Sequence, residues 1–312
     1  MNNKVDSGIS RSKNAIRNFN FSIFLYIIHI ISAFFLRKVF IKFLGITYLG
    51  VSGLFSNILI ILSFAELGLG HAIIYSMYKP VKENDFIKIK SLLNLYKQAY
   101  IIISIVVLVV GLLVLPFLKY IIHEEPNIKE NIYIIYVLYL LNTFFSYWGV
   151  YRKALISAYQ REYINTLCHE VCYFIQFFLQ YVILIKTKDF ILFLLIQILF
   201  VVINNFVSYQ ICGRIYPWIK DKKAIKVSDT EKKIIFSNVK SLVLYKLGSV
   251  ILNGTDNIIL SYFVNITIVG LCSNYTLLVS TATSLLSHFH NSFTAGIGNL
   301  NVSDDNNKMN IY

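Results

Sequence analysis

Two acids and two bases stand where hydrocarbon is expected. Glu66 and Asp256 are the acids lying deepest in apolar runs, and Arg37 and Lys246 are the corresponding bases. A carboxylate held out of water has its pKa raised by desolvation and lowered by a nearby cation. It can bind a coupling proton or sodium ion, or pair with a base such as Lys246. A guanidinium or ammonium in a wet cavity suits phosphate or pyrophosphate. The other role open to Arg37, and more so to Lys38 and Lys42, is snorkelling to the interface. Covalent chemistry has no foothold, because HExxH, GxSxG, the P-loop and GxGxxG are all absent from the sequence. Cys168, His169 and Cys172 share one helical turn without a fourth ligand for a metal, and the cysteines read as small buried hydrophobes. No metal, no cofactor and no enzymatic role are expected.

Uncharged polar residues recur at helical spacing inside other apolar runs. Ser52, Ser56, Ser63, Glu66 and Gly70 form one stripe, and Asn142, Ser146, Gly149 and Lys153 a second. Cys172, Gln176 and Gln180 align, as do Gln197, Asn204 and Ser208. Lys246, Ser249, Asn253 and Asp256 form another stripe, and Thr276, Ser280, Ser284, Ser287 and Asn291 the last. Residues three or four apart share a helix face. Polar groups in hydrocarbon turn toward a wet cavity, or they hydrogen-bond between packed helices. Stripes on several helices, together with ionisable groups at depth, favour a hydrated cavity for a polar solute. Its expected lining is Arg37, Asn142, Lys153, Gln176, Gln197, Asn204, Lys246 and Asn253, with Glu66 and Asp256 as ion-coupling acids.

The elements that must position these residues follow from composition. Of 312 residues, 56% are hydrophobic and 14% charged. Soluble domains carry about 25% charged residues. A globular surface needs more polar cover than this chain has, which excludes a soluble enzyme, a disordered chain and a disulfide scaffold. Eight apolar runs are long enough to cross a bilayer: 19–40, 53–75, 99–122, 132–151, 167–185, 190–211, 241–263 and 268–289. They do not alternate, so a β-barrel is excluded. The prediction is an all-α polytopic membrane bundle. It comprises a basic N-terminus (1–18), a six-helix lobe (19–211), a basic linker (212–240), two helices of a second lobe (241–291) and a tail (292–312).

The net charge of +13 would suggest nucleic acid on a soluble chain. Here it maps onto topology. With the N-terminus inside, about 21 of the 29 basic residues fall in cytoplasmic segments. This bias places both termini in the cytoplasm of a cell-membrane protein and leaves no need for a nucleic-acid partner. The loops around 79–98 and 212–240 are Lys-rich; they lie on the anionic inner leaflet or serve as solvated linkers.

Several segments resemble a known family. Arg37-Lys-Val-Phe-Ile-Lys-Phe-Leu-Gly45, Tyr48-Leu-Gly-Val-Ser-Gly-Leu-Phe-Ser56, Ala65-Glu-Leu-Gly-Leu-Gly70 and Tyr75-Ser-Met-Tyr-Lys-Pro80 resemble the first two helices of Wzx-type polysaccharide flippases. Asn253-Gly-Thr-Asp-Asn-Ile-Ile-Leu-Ser261, Val269-Gly-Leu-Cys-Ser-Asn-Tyr275 and Gly296-Ile-Gly-Asn-Leu300 resemble that family's seventh and eighth helices. The resemblance implies a member of the multidrug/oligosaccharidyl-lipid/polysaccharide exporter superfamily. Such proteins carry an undecaprenyl-pyrophosphate-linked oligosaccharide to the outer leaflet by alternating access, for capsule, exopolysaccharide or O-antigen assembly. The implied partners are this lipid-linked oligosaccharide, the membrane, a proton or sodium ion and other polysaccharide-assembly proteins. Under this resemblance Arg37 and Lys246 meet pyrophosphate. Family members have about twelve to fourteen helices in two similar lobes, so this chain is expected to be a shortened form. The competing expectations are a drug or cation antiporter of the same superfamily and an integral-membrane polymerase or glycosyltransferase.

Overall fold

The computed structural model describes residues 8–66, 69–122, 126–220, 248 and 255–302; Lys246 and Asn253 lie outside them. The described chain is all-α, a polytopic membrane bundle. Its helices are α1 (Gly8–Phe43), α2 (Ile46–Leu62), α3 (Leu69–Glu83), α4 (Phe86–Val114), α5 (Leu118–Ile121), α6 (Ile132–Ser146), α7 (Val150–Ala158), α8 (Glu162–Lys186), α9 (Phe190–Ile215), α10 (Asp256–Phe263) and α11 (Ile266–Val302). Five stretches have the length and apolarity to cross a membrane: Phe24–Phe43, Phe86–Ile121, Glu162–Lys186, Phe190–Ile215 and Ile266–Ser284. The bent pair α6–α7 makes a sixth.

Short polar turns start and stop these helices. Asp85 caps α4 by accepting the Lys88 amide at 2.9 Å. Asp189 does the same for α9 through the Leu192 amide at 3.0 Å. Asn131 caps α6 through Tyr133, and Asn265 caps α11 through Ile268. A side-chain oxygen at this position satisfies one of the amides a helix start leaves open. Asn84, Gln160 and Lys188 take left-handed backbone just before the next helix, reversing the chain in a few residues.

Two expected spans are interrupted. The run at 53–75 does not form one helix: α2 ends at Leu62, and a 3₁₀ turn covers Ser63–Glu66. Its polar stripe is therefore divided between elements. The run at 132–151 breaks between Ser146 and Val150, where Gly149 has φ +76 and the two helices meet at 42°. That left-handed backbone favours Gly, which has no Cβ to clash.

The chain divides into two compact units, residues 1–35 with 272–312 and residues 36–271. In the second, α8 and α9 form an antiparallel pair, α6 packs on α9, and α3 packs on α4 and α7. Its buried centre includes Phe55, Tyr96, Tyr136 and Phe190. Phe55 meets Tyr136 edge-on at 5.2 Å. At one end Tyr48 donates to Glu130, and Phe40 and Tyr48 pack on Phe190. At the other end Phe86 packs on Trp218, and Tyr159 stacks on Tyr216 under Arg161. Burial pushes the Tyr216 phenol up to about 12, so it stays neutral. Aromatic rings at both ends match the interfacial belts of membrane bundles. Between those ends Ile102, Leu113, Phe178 and Phe206 are exposed, as lipid-facing residues are.

In the first unit four hydroxyls bond to their own helices. Ser32 donates to the His29 carbonyl at 2.7 Å, and Thr276, Ser280 and Thr283 donate to carbonyls three or four residues earlier. The Thr276–Ser280 part of the expected stripe is thus satisfied without a cavity.

Candidate functional site

A cavity of about 470 Å³ lies in the second unit between α4, the α6–α7 break and α9. Its walls are Tyr100, Ile101 and Ser104 from α4; Phe145, Tyr147, Trp148, Gly149 and Tyr151 from the break; and Val202, Asn205, Phe206 and Tyr209 from α9. Among the described residues, Lys97 is the only charged one lining it. Pockets for small amphipathic molecules have this size and this mixture of flat apolar faces with a few polar groups.

Asn205 holds the break open. Its Nδ2 donates to the Phe145 carbonyl at 2.8 Å, which also accepts the Trp148 amide at 3.1 Å, and to the Ser146 carbonyl at 3.5 Å, beside the interruption. Its Oδ1 accepts from Lys153 Nζ at 2.8 Å. One amide thus ties α6, α7 and α9 together.

Glu66 stands behind the opposite part of the lining. Its Oε1 accepts from the Tyr100 hydroxyl at 2.9 Å, and the Tyr147 hydroxyl also lies against it. Tyr96 stacks flat on Tyr100, with centroids 4.5 Å apart. Gly70 passes so close that a Cβ there would sit 2.8 Å from both tyrosine hydroxyls. The acid is therefore bound into a tyrosine cluster that reaches the cavity.

Arg152 is buried behind the same cavity. Its guanidinium lies 4.5 Å from the Tyr209 ring centroid and 5.5 Å from that of Tyr151. Among the described residues, its Nε and Nη1 are buried without a hydrogen-bond partner.

Among the described residues, the expected cavity residues do not converge on this space. Lys153 touches it through Asn205 alone. Arg37 is half-buried on α1, and Asn142 and Asn204 each bury an Oδ1 without a partner among the described residues. Gln197 is half-buried on α9, and Asp256 is exposed at the start of α10. Gln176 donates to Gln180, which donates to the Phe193 carbonyl at 3.1 Å, so this pair joins α8 to α9. Replacing Gln176 with Leu should shift thermal unfolding in detergent by less than about 1 kcal/mol, because its one hydrogen bond is a 3.3 Å side-chain contact. A larger loss would give Gln176 a role beyond joining the helices.

The residues that do converge are mostly aromatic, and four of them are tyrosines. Tyr96 and Tyr100, and Tyr147 and Tyr151, are spaced i, i+4 and could have been found as paired aromatic faces. Among the described residues no three His, Cys, Asp or Glu side chains gather as a metal site. No family model, curated protein or solved structure matches the chain.

Proposed function

We propose that this protein is a flippase that moves an undecaprenyl-pyrophosphate-linked oligosaccharide across the cell membrane. The observation that carries this reading is the aromatic cavity set within helices of membrane-crossing length. Tyrosine and tryptophan offer flat apolar faces with polar edges. Such surfaces suit sugar rings, while an isoprenoid tail can remain in lipid. The resemblance of the segments around Arg37–Pro80 and Asn253–Tyr275 to Wzx-type flippases supports the same reading, with N- and C-termini in the cytoplasm. A cation antiporter fits less well, because the charged residue lining the cavity is a base.

The test is reconstitution of the purified chain into vesicles carrying a labelled lipid-linked oligosaccharide, with lectin access reporting the exposed leaflet. Sugar should cross faster than in protein-free vesicles. Replacing both Trp148 and Tyr209 with Ala should slow crossing about tenfold, equivalent to about 1.4 kcal/mol on the barrier. Transfer at the protein-free rate sinks the flippase reading. Proton-driven ethidium transport in its place would assign the cavity to an antiporter.

A further inference from the structure

We propose that the mouth of the aromatic cavity is a resident site for the phosphate of an anionic glycerophospholipid. Two cations at this mouth lack a carboxylate partner among the described residues. Lys97 Nζ lies 6.0 Å from the Tyr151 ring centroid on one side, and the Arg152 guanidinium 5.5 Å from it. Two cations therefore share one tyrosine. Among the described residues, neither has a carboxylate within salt-bridge distance.

Neither Glu66 nor Glu162 lies within salt-bridge distance of Lys97 or Arg152. Glu66 is engaged by Tyr100, and Glu162 by Ser157 and Asn165. Arg152 is 6% exposed, so its field is weakly screened by salt and acts through the tyrosine wall. Lys97 is exposed and can meet a phosphate directly.

The rest of the mouth selects a lipid over a soluble anion. Ile101, Trp148 and Phe206 are exposed at its rim. A free phosphate gains nothing from them, whereas an acyl chain covers them. Basic pockets between membrane helices bind anionic headgroups in this way. The proposal does not require the flippase reading, although the site opens onto the cavity on which that reading rests.

Trp148 reports on it. The sequence holds two tryptophans, and Trp218 packs away from the cavity against Phe86. The full-length Trp218→Phe protein, reconstituted in phosphatidylcholine vesicles, leaves Trp148 as the single emitter. Brominated phosphatidylglycerol should quench it at lower mole fraction than brominated phosphatidylcholine. Each cation near the surface is worth about 1 kcal/mol, or about fivefold in preference. Lys97→Ala should remove about fivefold, and Lys97→Ala with Arg152→Gln should abolish the preference. Lys97→Ala alters only an exposed side chain, so it tests the proposal even if Arg152→Gln fails to fold. Equal quenching by both lipids, or a preference unchanged in Lys97→Ala, overturns the proposal. Relief of quenching by millimolar inorganic phosphate would give the site to a soluble anion and overturn it too. Displacement by an equimolar amount of undecaprenyl pyrophosphate would reassign the site to the transported lipid and likewise overturn the proposal.

Discussion

Replacing Gly50 with Val should leave little folded protein. Gly50 on α2 faces Ile266 and Gly270 on α11 backbone to backbone. A Cβ on Gly50 would collide with the Ile266 carbonyl oxygen and lie 3.2 Å from the Gly270 amide nitrogen. A Cβ on Gly270 would collide in turn with the Ile46 carbonyl and lie 3.1 Å from the Gly50 nitrogen. Neither obstacle is a side chain that can rotate away, so the helices must separate. Separation also loosens the bonds from Asn257 to the Gly53 carbonyl and from Ser261 to the Ile121 carbonyl. Small residues that allow such approach are the main adhesive between helices in lipid. The expected cost is more than about 3 kcal/mol, beyond ordinary overpacking. It would be read as loss of monodisperse protein in detergent and a lower unfolding temperature. Leu271→Ala, one residue away and half-exposed, should behave nearly as wild type. If Gly50→Val and Gly270→Val both purify and unfold normally, the close crossing is not present in the folded protein.

Neighbouring asparagines should differ sharply. Asn205→Leu removes the side-chain donor from the Ser146 and Phe145 carbonyls, the latter keeping only the Trp148 amide, and leaves the Lys153 ammonium without its acceptor. Removing the partner of a buried charge costs several kcal/mol, so a loss of about 3 kcal/mol or more is expected. For a chain of this size that is roughly a 5 °C fall in unfolding temperature. Asn204→Leu should change stability by less than about 1 kcal/mol, because its Oδ1 has no partner among the described residues to lose. Thermal unfolding of the two variants side by side decides the matter. Equal losses would remove Asn205 from its place as the fastener of the break.

That contrast also shows what a sequence can and cannot disclose. Hydropathy gave the fold class, since runs such as 190–211 are unmistakably membrane-length, and α9 spans Phe190–Ile215. Caps were readable in kind: Asp85, Asn131 and Asp189 stand just before apolar helices. The break at Gly149 was not, because Tyr147-Trp-Gly-Val150 is apolar throughout and hydropathy does not register backbone handedness. Spacing alone placed Asn204 rather than Asn205 on the polar stripe. The two differ by one position, and the choice between them is made by where the carbonyls of α6 end, which depends on tertiary geometry. Searching for polar stripes also passed over the tyrosines. Their rings read as apolar in a hydropathy profile, yet their hydroxyls hold Glu66 and line the cavity.

Gly149 and Asn205 stand 56 positions apart in the sequence, yet they share one fate. A side chain at 149 would favour a continuous helix whose carbonyls need no outside donor, leaving the amide of Asn205 stranded in hydrocarbon. Losing the amide first leaves an interruption that nothing repairs. Each single step is unfavourable and only the joint step is mild, so drift at either position is conditional on the other. Relatives of this protein should carry the two residues as a correlated pair, kept together or discarded together.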